Sequence, residues 1–126
     1  MRIYARWLFG AAAAFNFAVA GGVVFVRPLV GPALHLDPVS GSNLLLLYLT
    51  GLFIALFGYA YGLIAADPVK HRVFIPFGAL GKLLAAACIT WTWIAGDVPV
   101  RLPMLAGGDV MFALLFLDYL RRTRAV

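Results

Sequence analysis

Four stretches of about twenty apolar residues each, parted by short segments rich in proline, glycine and charge, constrain this chain more than any other feature. A helix rises 1.5 Å per residue, so about 20 such residues cross a hydrocarbon core ~30 Å thick. The stretches run from about Ala5 to Val26, Leu44 to Ala66, Phe74 to Ala95 and Leu102 to Leu120. The expected fold is an all-α membrane protein, a four-transmembrane-helix bundle forming a single integral membrane domain over residues 1–126. Composition agrees. Hydrophobic residues make up 64% of the chain and charged residues 12%, against about 45–50% and about 25% in a soluble domain. A soluble core of this size could not hide so much apolar surface.

The connecting segments carry turn chemistry. Arg27 to Asn43 holds Pro28, Gly31, Pro32, Pro38 and Gly41; Asp67 to Arg72 is short and charged; Gly96 to Arg101 contains Asp97 and Pro99. Pro68 and Pro103 fall where a loop or first helical turn tolerates them. Pro76 is expected to mark a kink or the true start of the third helix. The first stretch also has marks of a cleavable signal peptide, namely Arg2, Arg6 and the small-residue triplet Ala18-Val19-Ala20. The apolar run continues past that triplet to Val26, which favours a retained span.

Lysine and arginine set the direction. Arg2, Arg6, Lys70, Arg72, Arg121, Arg122 and Arg124 fall on one side of the predicted spans, and only Arg27 and Arg101 on the other. Cytoplasmic loops carry the excess of basic residues, so both termini and the second loop are expected in the cytoplasm of a multi-pass protein, in a bacterial inner membrane. Tyr4, Trp7 and Tyr119 would then lie near the inner interface, and Trp91 and Trp93 near the outer one. The net charge of +5 sits at the ends of apolar runs, which suits anionic lipid headgroups and argues against nucleic acid.

Helices in lipid associate through close packing at small residues. Three stripes stand out: Ala14, Ala18 and Gly22; Ala55, Gly58 and Gly62; and Gly78, Gly81, Ala85 and Ala86. Four spans must find partners, so these are read first as contacts within the chain, with a homodimer face as the alternative. The short second and third connections make successive spans antiparallel neighbours. The lone cysteine, Cys88, reads as a small buried hydrophobe.

Ionisable residues inside a span raise the insertion free energy by about 2.5–3.5 kcal/mol each at the centre and are candidate functional groups. Here they are Lys82, Asp109 and, nearer the ends, Asp67 and Asp118, with Asn16, Thr90, Tyr48, Tyr59 and Tyr61 as uncharged polar candidates. Asp109 lies about 9 Å inside the outer end of the fourth span, and Lys82 about 9–13 Å from the inner end of the third. If the hairpin turns symmetrically between Gly96 and Pro103, the two differ in height by about eight residues, roughly 12 Å. The expectation is therefore two polar layers. The inner one holds Lys82, oriented by Asp118 or Asp67, with Tyr59 and Tyr61. The outer one holds Asn16, Asp109 and Thr90. Asp109, with no cation level with it, would be a protonated donor to Asn16 or Thr90. The alternative for Lys82 is a stem that snorkels to the inner interface. Asp109 and Asp118 are nine residues apart, on opposite helix faces. Asp67 to Arg72, with His71, reads as a headgroup-contacting loop. His35 and Asp37 lie on the other side of the membrane, so the two histidines cannot share a metal.

Several membrane functions lack their chemistry here. The spans hold neither a serine nor a histidine for an intramembrane protease, and no paired cysteines serve a thiol oxidoreductase. There is no glutamate of the kind small multidrug-resistance transporters use in their first span, and the basic bias opposes the dual insertion of fluoride channels. The chain resembles the small four-span bacterial proteins grouped with the DoxX-like and related families of unknown function. The resemblance rests on the Arg-led first span, the glycine-rich second span ending near Asp67-Pro68, and Gly81-Lys82 opening the third. It implies the four-span architecture and no activity. A few polar groups in an apolar bundle suit a non-enzymatic protein that binds a lipid-like or apolar ligand, or a membrane partner. Asn16, Asp109, Thr90, Lys82, Asp118, Tyr59 and Tyr61 are its candidate ligand-binding residues, with no cofactor and no metal. A proton-coupled transporter using Asp109 is the second reading. An enzyme acting on a sterol- or isoprenoid-like substrate, as in the emopamil-binding isomerases, is the third.

Overall fold

In a computed structural model, which describes residues 2–26, 39–96 and 103–124, the chain is an all-α bundle. Helix α1 covers Arg2–Gly21 and continues through Gly22–Val26 in wider, π-helical turns. It is followed by α2 (Ser42–Ala66), α3 (Phe74–Ile94) and α4 (Pro103–Arg122). α1 with its extension, α2 and α3 are long and apolar enough to cross a membrane. Residues 27–38 and 97–102, and with them Arg27, His35, Asp37, Asp97 and Arg101, lie outside the described residues.

Local chemistry explains the helix limits. Gly41 precedes α2 at φ +59° and Gly96 follows α3 at φ +85°, a left-handed backbone that glycine adopts without strain. Pro76 is the third residue of α3, in the first turn, where a helical N–H has no partner to lose. Between α2 and α3, the Asp67 side-chain Oδ1 accepts the Lys70 backbone N–H at 3.1 Å, and the Asp67 carbonyl accepts that of His71 at 3.1 Å. The Lys70 N–H, first of several causes, holds the Asp67 carboxyl below its ordinary range, and the positive charge of Arg2 adds to it.

The helices pack as two tight hairpins, α1 with α2 and α3 with α4. Small residues permit the first approach. Gly58 lies where an added Cβ would be 3.1 Å from the Asn16 Cβ and 3.4 Å from the Ala13 carbonyl, and Gly51 lies against Val24. Between the hairpins the spacers are aromatic. Phe9 of α1 meets Phe116 of α4 with centroids 4.7 Å apart, and Phe57 of α2 stacks on Phe77 of α3 at 5.2 Å. Tyr61 of α2 is wedged between Gly78 of α3 and the Phe116 ring.

The expected small-residue stripes are thus partly used. Gly58, Gly78 and Gly81 receive neighbours within the chain, whereas Gly62 has none. Ala14, Ala18 and Ala85 are exposed. On α1 the face turned inward is instead Ala5, Ala12, Ala13, Asn16 and Ala20. Cys88 is exposed rather than buried.

The bundle is inverted relative to a soluble protein. Its outer surface carries Leu45, Leu46, Leu52, Phe53, Leu56, Leu80, Leu84 and Leu114, all half exposed or more, while Lys82 is 4% exposed. Such a surface is stable when lipid, not water, covers it. At one end, the Arg72 guanidinium donates to the Thr123 hydroxyl at 2.6 Å and to the Leu120 carbonyl at 3.3 Å. That tie brings the second connection and the end of α4 together, and Arg2 acts on Asp67 at the same end. The packed aromatic core lies towards this end and includes Leu8, Phe9, Tyr61, Ile64, Ile75, Phe116 and Tyr119. On the far side of Lys82 the buried residues, among those described, are all small: Ala20, Gly51, Ala86 and Ala106.

Candidate functional site: a charged centre shared by four helices

Two rows of buried alanines, one on α3 and one on α4, carry one charge each. Lys82 stands between Ala79 and Ala86 on the buried face of α3, and Asp109 stands between Ala106 and Ala113 on α4. The spacing of three and four residues keeps each triplet on one helix face, so both charges point into the α3–α4 seam. The Lys82 ammonium donates to Asp109 Oδ1 at 3.0 Å and to Asn16 Oδ1 of α1 at 3.0 Å. The Asn16 amide in turn donates to the Ile54 carbonyl of α2 at 3.0 Å. One connected network therefore touches all four helices.

Aromatic rings close the remaining space around the ammonium. Its nitrogen lies 5.1 Å from the centroid of Phe15, 5.2 Å from that of Tyr61 and 5.2 Å from that of Phe112. Ring faces attract a cation at such distances, each by about 0.5–2 kcal/mol depending on desolvation. Gly108, next to Asp109, lets Phe15 approach; a Cβ there would lie 3.1 Å from the ring. The centre is shielded unequally, since the Lys82 side chain is 4% exposed and that of Asp109 16%.

This overturns the expected two polar layers and the expected isolation of Asp109. The reason is register. Tyr61 touches both Gly78 and Phe116, and Arg72 reaches Leu120 and Thr123. α4 is therefore placed deeper along α3 than a symmetric hairpin allows, far enough for Lys82 to meet Asp109. Lys82 does not snorkel, because an acceptor and a ring cage hold it inside.

The other candidates fall away from this centre. Asp118 binds Arg121 at 3.0 Å and Arg122 at 2.8 Å on its own helix, so it does not orient Lys82. Asp67 caps its turn instead. Tyr59 is 61% exposed, and Tyr48 and Thr90 are exposed. Of the inner-layer tyrosines, Tyr61 alone joins Lys82, through its ring; its hydroxyl donates to the Gly78 carbonyl at 3.4 Å. Asp109 and Asp118 lie apart, one against Lys82 and the other against the arginines of its own helix. Sequence reasoning missed Phe15, Phe112 and the Ile54 carbonyl. Phe112 follows Asp109 by three residues and Phe15 adjoins Asn16, a spacing that places aromatic cover beside each polar group.

Among the described residues no three histidine, cysteine, aspartate or glutamate side chains converge as a metal site would require. The chain matches no protein family, no curated protein and no solved structure.

Proposed function

We propose that the chain is a four-span membrane protein with both termini in the cytoplasm, and that it binds a lipid-like, apolar molecule non-enzymatically beside the Lys82–Asp109–Asn16 centre. α4 supplies the fourth crossing, its 20 residues rising about 30 Å. The gathering of the second connection, Arg2 and the end of α4 at one end supports the basic, cytoplasmic assignment.

The observation that carries the ligand reading is the unequal shielding of the centre. A fully enclosed ion pair would serve packing alone, but the Asp109 side chain is 16% exposed, and among the described residues the buried ones beyond it are all small. Apolar walls with a few convergent polar groups are how small-molecule sites are usually built. Native mass spectrometry of protein released gently from its membrane tests this. Wild type should retain a small apolar adduct that a Lys82→Met/Asp109→Leu double variant loses. Equal spectra from the two, or an adduct that proves to be a second copy or another protein, would reject the ligand reading. A reporter active only outside the cytoplasm, fused after Val126, should be silent; strong activity rejects the topology.

A proton-coupled carrier is the second reading, favoured by the placement of a titratable carboxylate in a network that crosses both hairpins. Proton-linked flux in proteoliposomes that Asp109→Asn abolishes would select it.

A further inference from the structure

We infer that the molecule held at this centre carries a neutral hydrogen-bond donor, an alcohol headgroup on an apolar body, and that the centre discriminates against fatty acids and long-chain amines. The inference rests on the ligand reading above and names the chemical class that site would take.

Three observations carry it. First, the group presented to an incoming molecule is the carboxylate. The ammonium is 4% exposed and caged by three rings, whereas Asp109 is 16% exposed. Second, among the described residues the hydrogen bond to Asp109 is made at Oδ1, and no described donor occupies Oδ2. An ionised carboxylate has lone pairs on both oxygens and only accepts, so the complementary group is a donor. Third, Lys82 and Asp109 sum to zero charge. A neutral hydroxyl keeps that balance. A carboxylate would bring a second negative charge against Asp109, and an ammonium a second positive charge near Lys82. Either leaves an uncompensated charge in a low-dielectric surrounding. The side of Asp109 on which the described buried residues are small is where the body of such a molecule would extend.

The test uses full-length protein in lipid nanodiscs and three probes of one chain length: hexadecanol, palmitate and hexadecylamine. Retention is read by native mass spectrometry across a concentration series, with the thermal midpoint as a second measurement. Wild type should retain hexadecanol at concentrations about tenfold or more below those needed for the other two, one tenfold step corresponding to about 1.4 kcal/mol. Asp109→Asn leaves Lys82 without its counter-charge, so the ranking should invert in favour of palmitate, whose carboxylate restores the ion pair. Wild type that prefers palmitate or hexadecylamine, or ranks all three alike, overturns the alcohol assignment and leaves the ligand reading standing. Wild type that retains none of the three, with no endogenous adduct, overturns both. Should Asp109→Asn fail to fold, the wild-type ranking decides alone.

Discussion

Asn16 and Lys82 belong to different hairpins, and the 3.0 Å hydrogen bond from the Lys82 ammonium to the Asn16 side-chain oxygen ties one hairpin to the other at the charged centre. The same asparagine spends its amide on the Ile54 carbonyl. Asn16→Leu removes both bonds while keeping a similar volume. We expect a loss of roughly 1–2 kcal/mol, the range of interhelical hydrogen bonds in membranes, measured by denaturant titration in mild detergent. No change would mean that the aromatic seams alone dock the hairpins.

Lys82 and Asp109 should behave as a coupled pair. Either Lys82→Met or Asp109→Leu strands the other charge and should lower stability by roughly 3–5 kcal/mol, whereas the double variant should lose much less than the sum. Detergent unfolding of the four proteins gives the coupling energy directly, and additive losses would contradict the paired geometry.

The two glycines of the α2 GxxxG sequence should part company. Gly58→Ala drives a methyl group towards the Asn16 Cβ and the Ala13 carbonyl, backbone-anchored atoms that cannot swing aside, and should destabilise by about 1–3 kcal/mol. Gly62 has nothing within 4 Å of an added Cβ, so Gly62→Ala should be neutral or stabilise by about 0.4–1 kcal/mol. Thermal midpoints of the two variants, compared side by side, check this; destabilisation by Gly62→Ala would point to a contact outside the single chain.

Asp67 offers a pH test outside the spans. Its carboxyl is held below the ordinary range, chiefly by the Lys70 N–H. A carboxyl lowered on folding stabilises above its unfolded value of about 3.9 and loses that contribution as pH falls through the folded value. Asp67→Asn keeps an acceptor for Lys70 but should flatten the acid limb of a midpoint-against-pH curve. Asp67→Ala should lose the cap at every pH. An acid limb unchanged in Asp67→Asn would assign it to other groups.

Helix type and approximate limits were legible because apolar length is a strong signal, and it placed α2, α3 and α4 within a residue or two. Inter-helix register was not. It depends on how far one helix slides along another, which Tyr61 wedged at Gly78 and Arg72 clasping Leu120 and Thr123 decide through side-chain shape. The pairing of Lys82 with Asp109 followed that register and was missed with it. A signal was present nonetheless: each charge interrupts a row of alanines, Ala79 and Ala86 on one helix, Ala106 and Ala113 on the next. The α1 stripe at Ala14 and Ala18 faces outward for the complementary reason. Small residues tolerate lipid as well as a neighbouring helix, so their spacing alone does not say which they meet.

That Lys82 and Asp109 share one hairpin bears on how the chain enters a bilayer. Each charge alone would oppose insertion by about 2.5–3.5 kcal/mol, yet the two lie on consecutive helices and bond directly. The α3–α4 unit can leave the insertion machinery already neutralised, before it meets α1 and α2. The first hairpin carries no charge at the depth of the centre and offers only the neutral Asn16 side chain. Biogenesis then reduces to docking two hairpins that carry no net charge at the depth of the centre, with the bond from Lys82 to Asn16 as the final tie.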